Sequence, residues 1–363
     1  MGLTRAGYKV IAFSEFNNAA VESHLANFPE SELIQATPTA DIKKKDLTNI
    51  SYIQDAVFAK YRDKVDIIFA GFNCQGFSRA GKKRHDDPRN QMYLQFVRAT
   101  ANIRPKYIIG ENVTGLLSMR SGPDDTDPFV LDLIIKAFKD IGYELTYKQQ
   151  EATDFGVPQK RKRILLVGYD TTQVTTFDPT TFWTNVEAEG KKLPRISQAN
   201  FITNSMEGAA LIPQTNIPEH FATYAQPVTQ TQAPTGKPHP YVTLKIGENL
   251  LSCSKRDSPI HSEIINKDAP SKTIICTYDH QPRLLVGLRK PDGTAYARTL
   301  LSDELKQIQG FPADYKVLGS QKEQVVQIGN AVPPPMIEAV ARALPSLTTP
   351  QETTIIRFKR KHK

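Results

Sequence analysis

Cysteine is scarce in this 363-residue chain: three residues, Cys74, Cys253 and Cys276, with no Cys-x-x-Cys pairing. Such usage argues against a disulfide framework and a structural zinc site, and it suits a reducing compartment. Long apolar runs are missing too. Nothing in the sequence approaches the length of a membrane span, and no secretory apolar stretch comes after Met1. The expectation is a soluble, intracellular protein. There is no internal repeat, which argues against solenoids and propellers. Neither charge dominates: 46 Lys and Arg oppose 38 Asp and Glu, for a net +8. That balance admits a nucleic-acid partner without requiring one. The remainder, 39% hydrophobic and 23% charged, is ordinary for a globular chain long enough for one large α/β domain and a smaller one.

Over residues 1–170 short apolar runs alternate with helical patterns, the signature of a mostly parallel sheet with helices on both faces. Strands are expected at Tyr8–Phe13, from Val65, at Lys106–Ile109, Glu144–Lys148 and Ile164–Tyr169. Helices are expected up to about Asn27 and over Ser51–Tyr61, Asn90–Ile103 and Pro128–Ile141. Residues 171–270 have another character: Thr, Gln and Pro accumulate and no period is sustained. Phe177, Phe182, Trp183, Phe201, Phe221, Tyr224 and Tyr241 nevertheless offer a small core, so a loop-rich module is expected there and not disorder. Regular patterning returns over 271–345, with a helix Asp303–Gln309 capped by Ser302 and stopped by Gly310, and another at Pro334–Leu344. Residues 346–363 end in the basic run Arg357–Lys363. This reads first as a solvated, frayed terminus and second as a non-specific phosphate contact.

Chemistry-bearing residues collect where these strands end. Cys74 comes after the Val65 strand, Glu111 after the next, Gln159–Arg163 leads into a third, and Glu15 closes the first. In an open α/β sheet ligands gather outside the carboxyl ends of the strands, and an acid after the first strand commonly accepts hydrogen bonds from a ribose. Each residue alone has a plainer reading: a buried thiol, a helix cap, a solvated basic turn, an exposed strand-end acid. All four on one edge of one sheet favour a site.

The segments Gly71-Phe72-Asn73-Cys74-Gln75-Gly76-Phe77-Ser78, Glu111-Asn112-Val113, Gln159-Lys160-Arg161-Lys162-Arg163, Gln309-Gly310-Phe311-Pro312 and Gly329-Asn330-Ala331-Val332-Pro333, in this order, resemble the cytosine-5 DNA methyltransferase family across nearly the whole chain. The resemblance implies an α/β, Rossmann-like S-adenosylmethionine-dependent methyltransferase sheet with a smaller loop-rich target-recognition domain. Residues 1–170 would then begin the catalytic domain, 171–270 would read the target, and 271–345 would return to complete the catalytic domain. It implies methyl transfer to cytosine carbon 5 in double-stranded DNA, with Cys74 as the covalent nucleophile on carbon 6. Glu111 would hold the N3 and amine edge, Arg163 the base O2, and Arg161 a phosphate or loop. Asn73, Gln75, Ser78, Arg79, Lys82 and Lys83 would belong to the loop that closes on DNA, with Asn112 and Val113 nearby and the target base flipped out. The donor S-adenosylmethionine would meet Glu15 and Phe16 at its ribose, Asp46 and Leu47 at its adenine, and Asn330 and Val332 in the closing motif. A related reading within the family is a tRNA cytosine-5 methyltransferase; one from another class is a catalytically impaired DNA-binding relative.

Two departures stand out. Asn73 occupies a place where the family writes proline, which loosens the loop while keeping the carbonyl. The family also opens with a strand and a Phe-x-Gly-x-Gly-Gly loop, whereas Met1–Gly7 matches the family's sequence immediately after that loop. No equivalent is recognisable at the C-terminus, so the sheet is expected to lack a central strand, with unpaired ladder edges. A monomer is expected, unless a separate chain supplies the missing strand and loop.

Overall fold

The computed structural model describes residues 1–72, 92–212, 219–238, 245–246, 251–252, 263–280, 282–345 and 354–358. The chain forms two compact units. The first comprises 1–154, 162–193 and 334–363; the second comprises 155–161 and 194–333. The division differs from the expected one at both ends. Helix Pro179–Lys192 belongs to the first unit, and 271–333 packs with the second.

The first unit is built on strands β1 (Lys9–Ser14), β2 (Glu32–Leu33), β3 (Ile67–Gly71), β4 (Tyr107–Asn112) and β5 (Tyr143–Glu151), with β7 (Lys162–Asp170). The two-residue β6 (Gln159–Lys160) lies in the second unit. The seven-stranded sheet runs β2, β1, the C-terminal strand Thr354–Phe358, β3, β4, β7, β5. Pairing is parallel from β2 to β4, and β7 runs antiparallel to both β4 and β5. Every residue of β3 and β4 is buried, as continuous apolar runs covered on both faces require. On one face Ile68, Ala70, Ile108, Ile164 and Leu166 pack with Phe58, Phe96, Ile103, Ile134 and Phe138, from helices Asp55–Ala59, Met92–Ile103 and Val130–Asp140. On the other, Phe177 stacks on Tyr169 with centroids 4.6 Å apart, and Trp183 donates to the Thr146 hydroxyl at 2.8 Å. Gly168 allows β7 to lie this close to its neighbours, since a Cβ there would sit 2.7 Å from Ile108.

Two expectations are corrected here. The ladder edges of β1 and β3 are not left open: Thr354–Phe358 lies between them, parallel to both. Lys9 pairs with Thr354 and Ser14 with Phe358, while Ile67 pairs with Ile355 and Ala70 with Phe358. A central strand is therefore supplied by residues 354–358, of which Arg357 and Phe358 belong to the run expected to fray. Its β-branched run Thr353-Thr354-Ile355-Ile356 carried the strand signal, overshadowed by the basic residues after it. The expected helix Ser51–Tyr61 is interrupted: a 3₁₀ turn, Ile50–Tyr52, precedes a short helix, Asp55–Ala59. Asn49 caps that turn by accepting from Ser51 N, a competing local bond of the kind Asn offers.

In the second unit, strand Leu284–Arg289 pairs antiparallel with Ala295–Thr299, with Glu263–Ile264, Gln226–Pro227 and Ala210–Leu211 completing a small sheet. Leu284, Val286, Leu288, Leu305, Ile308 and Ile328 form its core. Helix Ser302–Ile308 is closed by Glu304, which accepts from Leu301 N at 2.9 Å; Ser302, the expected cap, is the first helical residue instead. Glu304 also pairs with Arg298 at 2.7 Å, both side chains essentially solvent-free. Arg298 further donates to the carbonyls of Ser205, Thr299 and Thr203. A buried pair is tolerable when its remaining donors are met in this way.

Candidate active site

The carboxyl end of β4 delivers Glu111 and Asn112, and the amino end of the antiparallel β7 delivers Arg163 beside them. Glu111 faces Leu165 across the ladder and Asn112 faces Ile164, so Glu111 shares a sheet face with Arg163 while Asn112 points to the opposite one. Arg163 Nε lies 2.8 Å from Glu111 Oε1, with side-chain exposures of 10% and 0%. Arg163 also donates to the Lys162 carbonyl at 2.7 Å. Two opposite charges thus offset one another's desolvation at the strand ends, and both stand at the edge of the sheet where ligands bind. Asn112 Oδ1 accepts from Val113 N at 2.8 Å, turning the chain out of the strand. Its Nδ2 is buried with no hydrogen-bond partner among the described residues.

Arg161, only two residues from Arg163, does something else. Its side chain is fully buried and donates to the carbonyls of Ile274, Gly329 and Ala331 at 2.9–3.1 Å. Of the phosphate or loop partner that the resemblance implied, these contacts are those of a loop partner: Arg161 fastens the Gly329–Pro333 segment. Gln159 joins in, donating to Gln309 Oε1 at 2.6 Å and accepting from Ile274 N at 3.0 Å, and Gln309 in turn donates to Ala331 O. Gly329 has no room for a side chain, since a Cβ would lie 2.5 Å from Cys276 N. Segments far apart in sequence are thereby tied into one polar cluster in the second unit. Asn330 Nδ2 donates to Val326 O at 2.8 Å, and Val332 is 9% exposed.

At the carboxyl end of β1, Glu15 comes directly after the strand and is 4% exposed. Its Oε1 accepts from Phe16 N and Asn17 N, both at 3.0 Å, while Asn17 caps the next helix through Ala20 N. This fixes the carboxylate at the sheet edge, and an acceptor so placed suits paired ribose hydroxyls. Asp46 ends a 3₁₀ turn, Lys44–Asp46, and Leu47 comes next, partly buried against the core. Glu15, so held, has the chemistry to accept ribose hydroxyls such as those of S-adenosylmethionine. Asn73, Cys74, Gln75, Ser78, Arg79, Lys82 and Lys83 lie outside the described residues.

The family model for C-5 cytosine-specific DNA methylases matches residues 1–346. The chain belongs to that family. Its enzymes are cytosine-5 DNA methyltransferases that use S-adenosylmethionine as donor, and this chain is one of them. The Type II methyltransferase M1.HphI of Haemophilus parahaemolyticus is 28% identical over 354 residues, covering 96% of this chain and 84% of the relative. M.BsuFI of Bacillus subtilis is 29% identical, covering 93% and 67%. Among solved structures, a putative DNA modification methyltransferase from an Escherichia coli prophage superposes with a TM-score of 0.58 at 19% identity, covering 94% of each chain. A DNMT2 variant from Spodoptera frugiperda superposes at 0.57 and 18%, covering 94% of this chain and 96% of that one. At such identities these two show the fold. The family match ends before Thr354, so the C-terminal strand lies outside the matched residues. No helix among the described residues is long and apolar enough to cross a membrane.

The residue that sequence reasoning passed over is Gln150. It lies directly opposite Arg163 in the β5–β7 ladder and is 5% exposed. The only sequence sign was a second glutamine next to the end of a strand otherwise written for an exposed face.

Proposed function

We propose that this cytosine-5 methyltransferase acts on duplex DNA through Cys74, with Glu111 and Arg163 holding a cytosine flipped out of the stack. The buried Glu111–Arg163 pair, 2.8 Å apart at adjoining strand ends, carries the reading. Carbon 5 of cytosine is a weak nucleophile. The Cys74 thiolate adds to carbon 6, and the ring electrons displaced by the new S–C bond make carbon 5 nucleophilic. Glu111 answers the charge that builds at N3 as the thiolate adds, and Arg163 holds O2. S-adenosylmethionine supplies the electrophilic methyl group. Loss of the carbon 5 proton then expels the thiolate and restores the ring. Glu15, Phe16, Asp46 and Leu47 are the residues of the first unit proposed to hold the donor. Residues 171–270 are proposed to read the target.

The relatives are Type II enzymes, so modification of a short specific duplex site is the proposed setting. A monomer is the proposed state, and the pairing of Thr354–Phe358 with both β1 and β3 supports it. Duplex DNA carrying 5-fluorocytosine, incubated with the protein and S-adenosylmethionine, should give a denaturation-resistant adduct, since fluorine cannot leave as the proton does. Cys74→Ser should give none; an adduct persisting in that variant removes Cys74 from the mechanism. The same assay on tRNA separates the two nucleic-acid substrates.

A further inference from the structure

β5 is the edge strand of the sheet, and from Glu144 to Glu151 its residues are all at least partly exposed except one. That one is Gln150, and it carries a primary amide. Its Nε2 is buried and has no hydrogen-bond partner among the described residues. Buried amides are nearly always paired, because desolvating a donor without replacing its bond to water is costly. Gln95 Oε1, Asn112 Nδ2 and Gln226 Nε2 share this condition among the described residues, but Gln150 is set apart by its place in the ladder. Gln150 is directly opposite Arg163, so the two share a sheet face, and Glu111 shares it through its pairing with Leu165. Across the strands the order is Glu111 on β4, Arg163 on β7 and Gln150 on β5.

We propose that Gln150 is a substrate-contacting residue whose Nε2 donates a hydrogen bond to the O2 carbonyl of the target cytosine, beside Arg163. This rests on the reading of Glu111 and Arg163 as the base-holding pair. Cytosine presents its amine, N3 and O2 in sequence along one edge, and the three strands present a carboxylate, a guanidinium and an amide in sequence along one face. A carbonyl oxygen has two lone pairs, so it can take a donor from each of two neighbours. A neutral amide suits a neutral carbonyl in a buried place, where a phosphate would bring an unpaired charge.

The test uses the full chain and three variants, Gln150→Met, Gln150→Glu and Glu111→Gln. Two measurements are made: tritiated methyl transfer from S-adenosylmethionine to long heterogeneous duplex DNA, and thermal unfolding without DNA. Methionine keeps the length and bulk but removes the orphan donor, so Gln150→Met should melt no lower than wild type while kcat/KM falls about tenfold, mainly through KM. Glutamate keeps the shape and loses the donor, so Gln150→Glu should fall at least as far. Gln150→Met activity within twofold of wild type overturns the proposal. So does a Gln150→Met loss accompanied by lower melting, which marks the amide as structural. Glu111→Gln separates the two readings. If it keeps the wild-type rate, the base-holding pair itself is wrong; if it alone loses activity, only the role of Gln150 is.

Discussion

The two arginines of Arg161-Lys162-Arg163 are two residues apart and serve opposite ends. Arg161, in the second unit, has three backbone carbonyls as acceptors. Arg163, in the first, faces a buried carboxylate at the strand ends proposed to hold the base, across the ladder from a buried amide whose Nε2 has no partner among the described residues. Arg298 in the second unit also holds backbone carbonyls, and with Glu304 they saturate it. Saturated polar burial builds a scaffold, because each group already has what it needs. Unsaturated polar burial is what a site retains until its ligand arrives. Substitutions in the scaffold should therefore lower stability, and substitutions at the site should lower rate.

The largest effect tests the scaffold at the strand that lies outside the residues matched to the family. A protein ending after Leu344 loses the strand between β1 and β3, and with it two ladders. Its first unit should lose its cooperative thermal transition and its S-adenosylmethionine binding, by calorimetry. A transition like that of the full chain would show the strand to be dispensable. Next comes Arg298→Ala, which leaves Glu304 charged and buried. It should cost about 3–5 kcal/mol in denaturant unfolding of the second unit. The double variant Arg298→Met with Glu304→Leu should recover part of that loss, though not the Leu301 and Thr203 amide bonds that Glu304 also accepts. Glu111→Gln should do the reverse. The new amide oxygen can still accept from Arg163, so melting should fall less than for Arg298→Ala, while turnover drops about a hundredfold or more. A stability loss as large as that of Arg298→Ala with little change in rate would erase the distinction.

The sheet was largely legible because its signals are local. β3 and β4 are apolar runs, and helix Val130–Asp140 is an amphipathic stretch stopped by Gly142. The places of Glu111 and Arg163 at strand ends could be read from the apolar runs beside them. The division of labour between Arg161 and Arg163 could not. Lys160, Arg161, Lys162 and Arg163 alternate exposed and buried, and a run of four like charges does not say which of them the fold will cover. Nor could the place of the C-terminal strand be read, since pairing between residue 9 and residue 354 is a long-range fact with no local sign. Gln150 was hidden for a third reason: its significance is a missing partner, and only the folded chain reveals that.

The smallest expected effect sharpens the contrast by moving it inside the first unit. Asp170 ends β7 opposite Tyr143, at the far end of the sheet from Glu111. Its side chain is buried and fully engaged: Arg104 at 2.5 Å, Thr172 N at 2.9 Å and its hydroxyl at 2.7 Å, and Gln173 Nε2 at 2.8 Å. Burial alone would raise its pKa, but the Thr172 and Gln173 hydrogen bonds and the Arg104 guanidinium outweigh it and hold the carboxyl below its ordinary 3.8. A pKa lowered by folding stabilises the native state above the unfolded value and ceases to do so as pH falls through the folded one. Asp170→Asn should thus cost about 1–3 kcal/mol at neutral pH, the range for a charge-assisted bond lost in a buried place. The gap from wild type should narrow only below about pH 4, and activity per folded molecule should be unchanged. If saturation marks scaffold wherever it occurs, Asp170 will behave like Arg298 and not like Glu111, although it shares a sheet with the latter. Chemical denaturation of both proteins between pH 3 and pH 7 checks the sign. A gap that widens on acidification would mean that the carboxyl is held above its ordinary value, and that the hydrogen bonds around it do not compensate its burial.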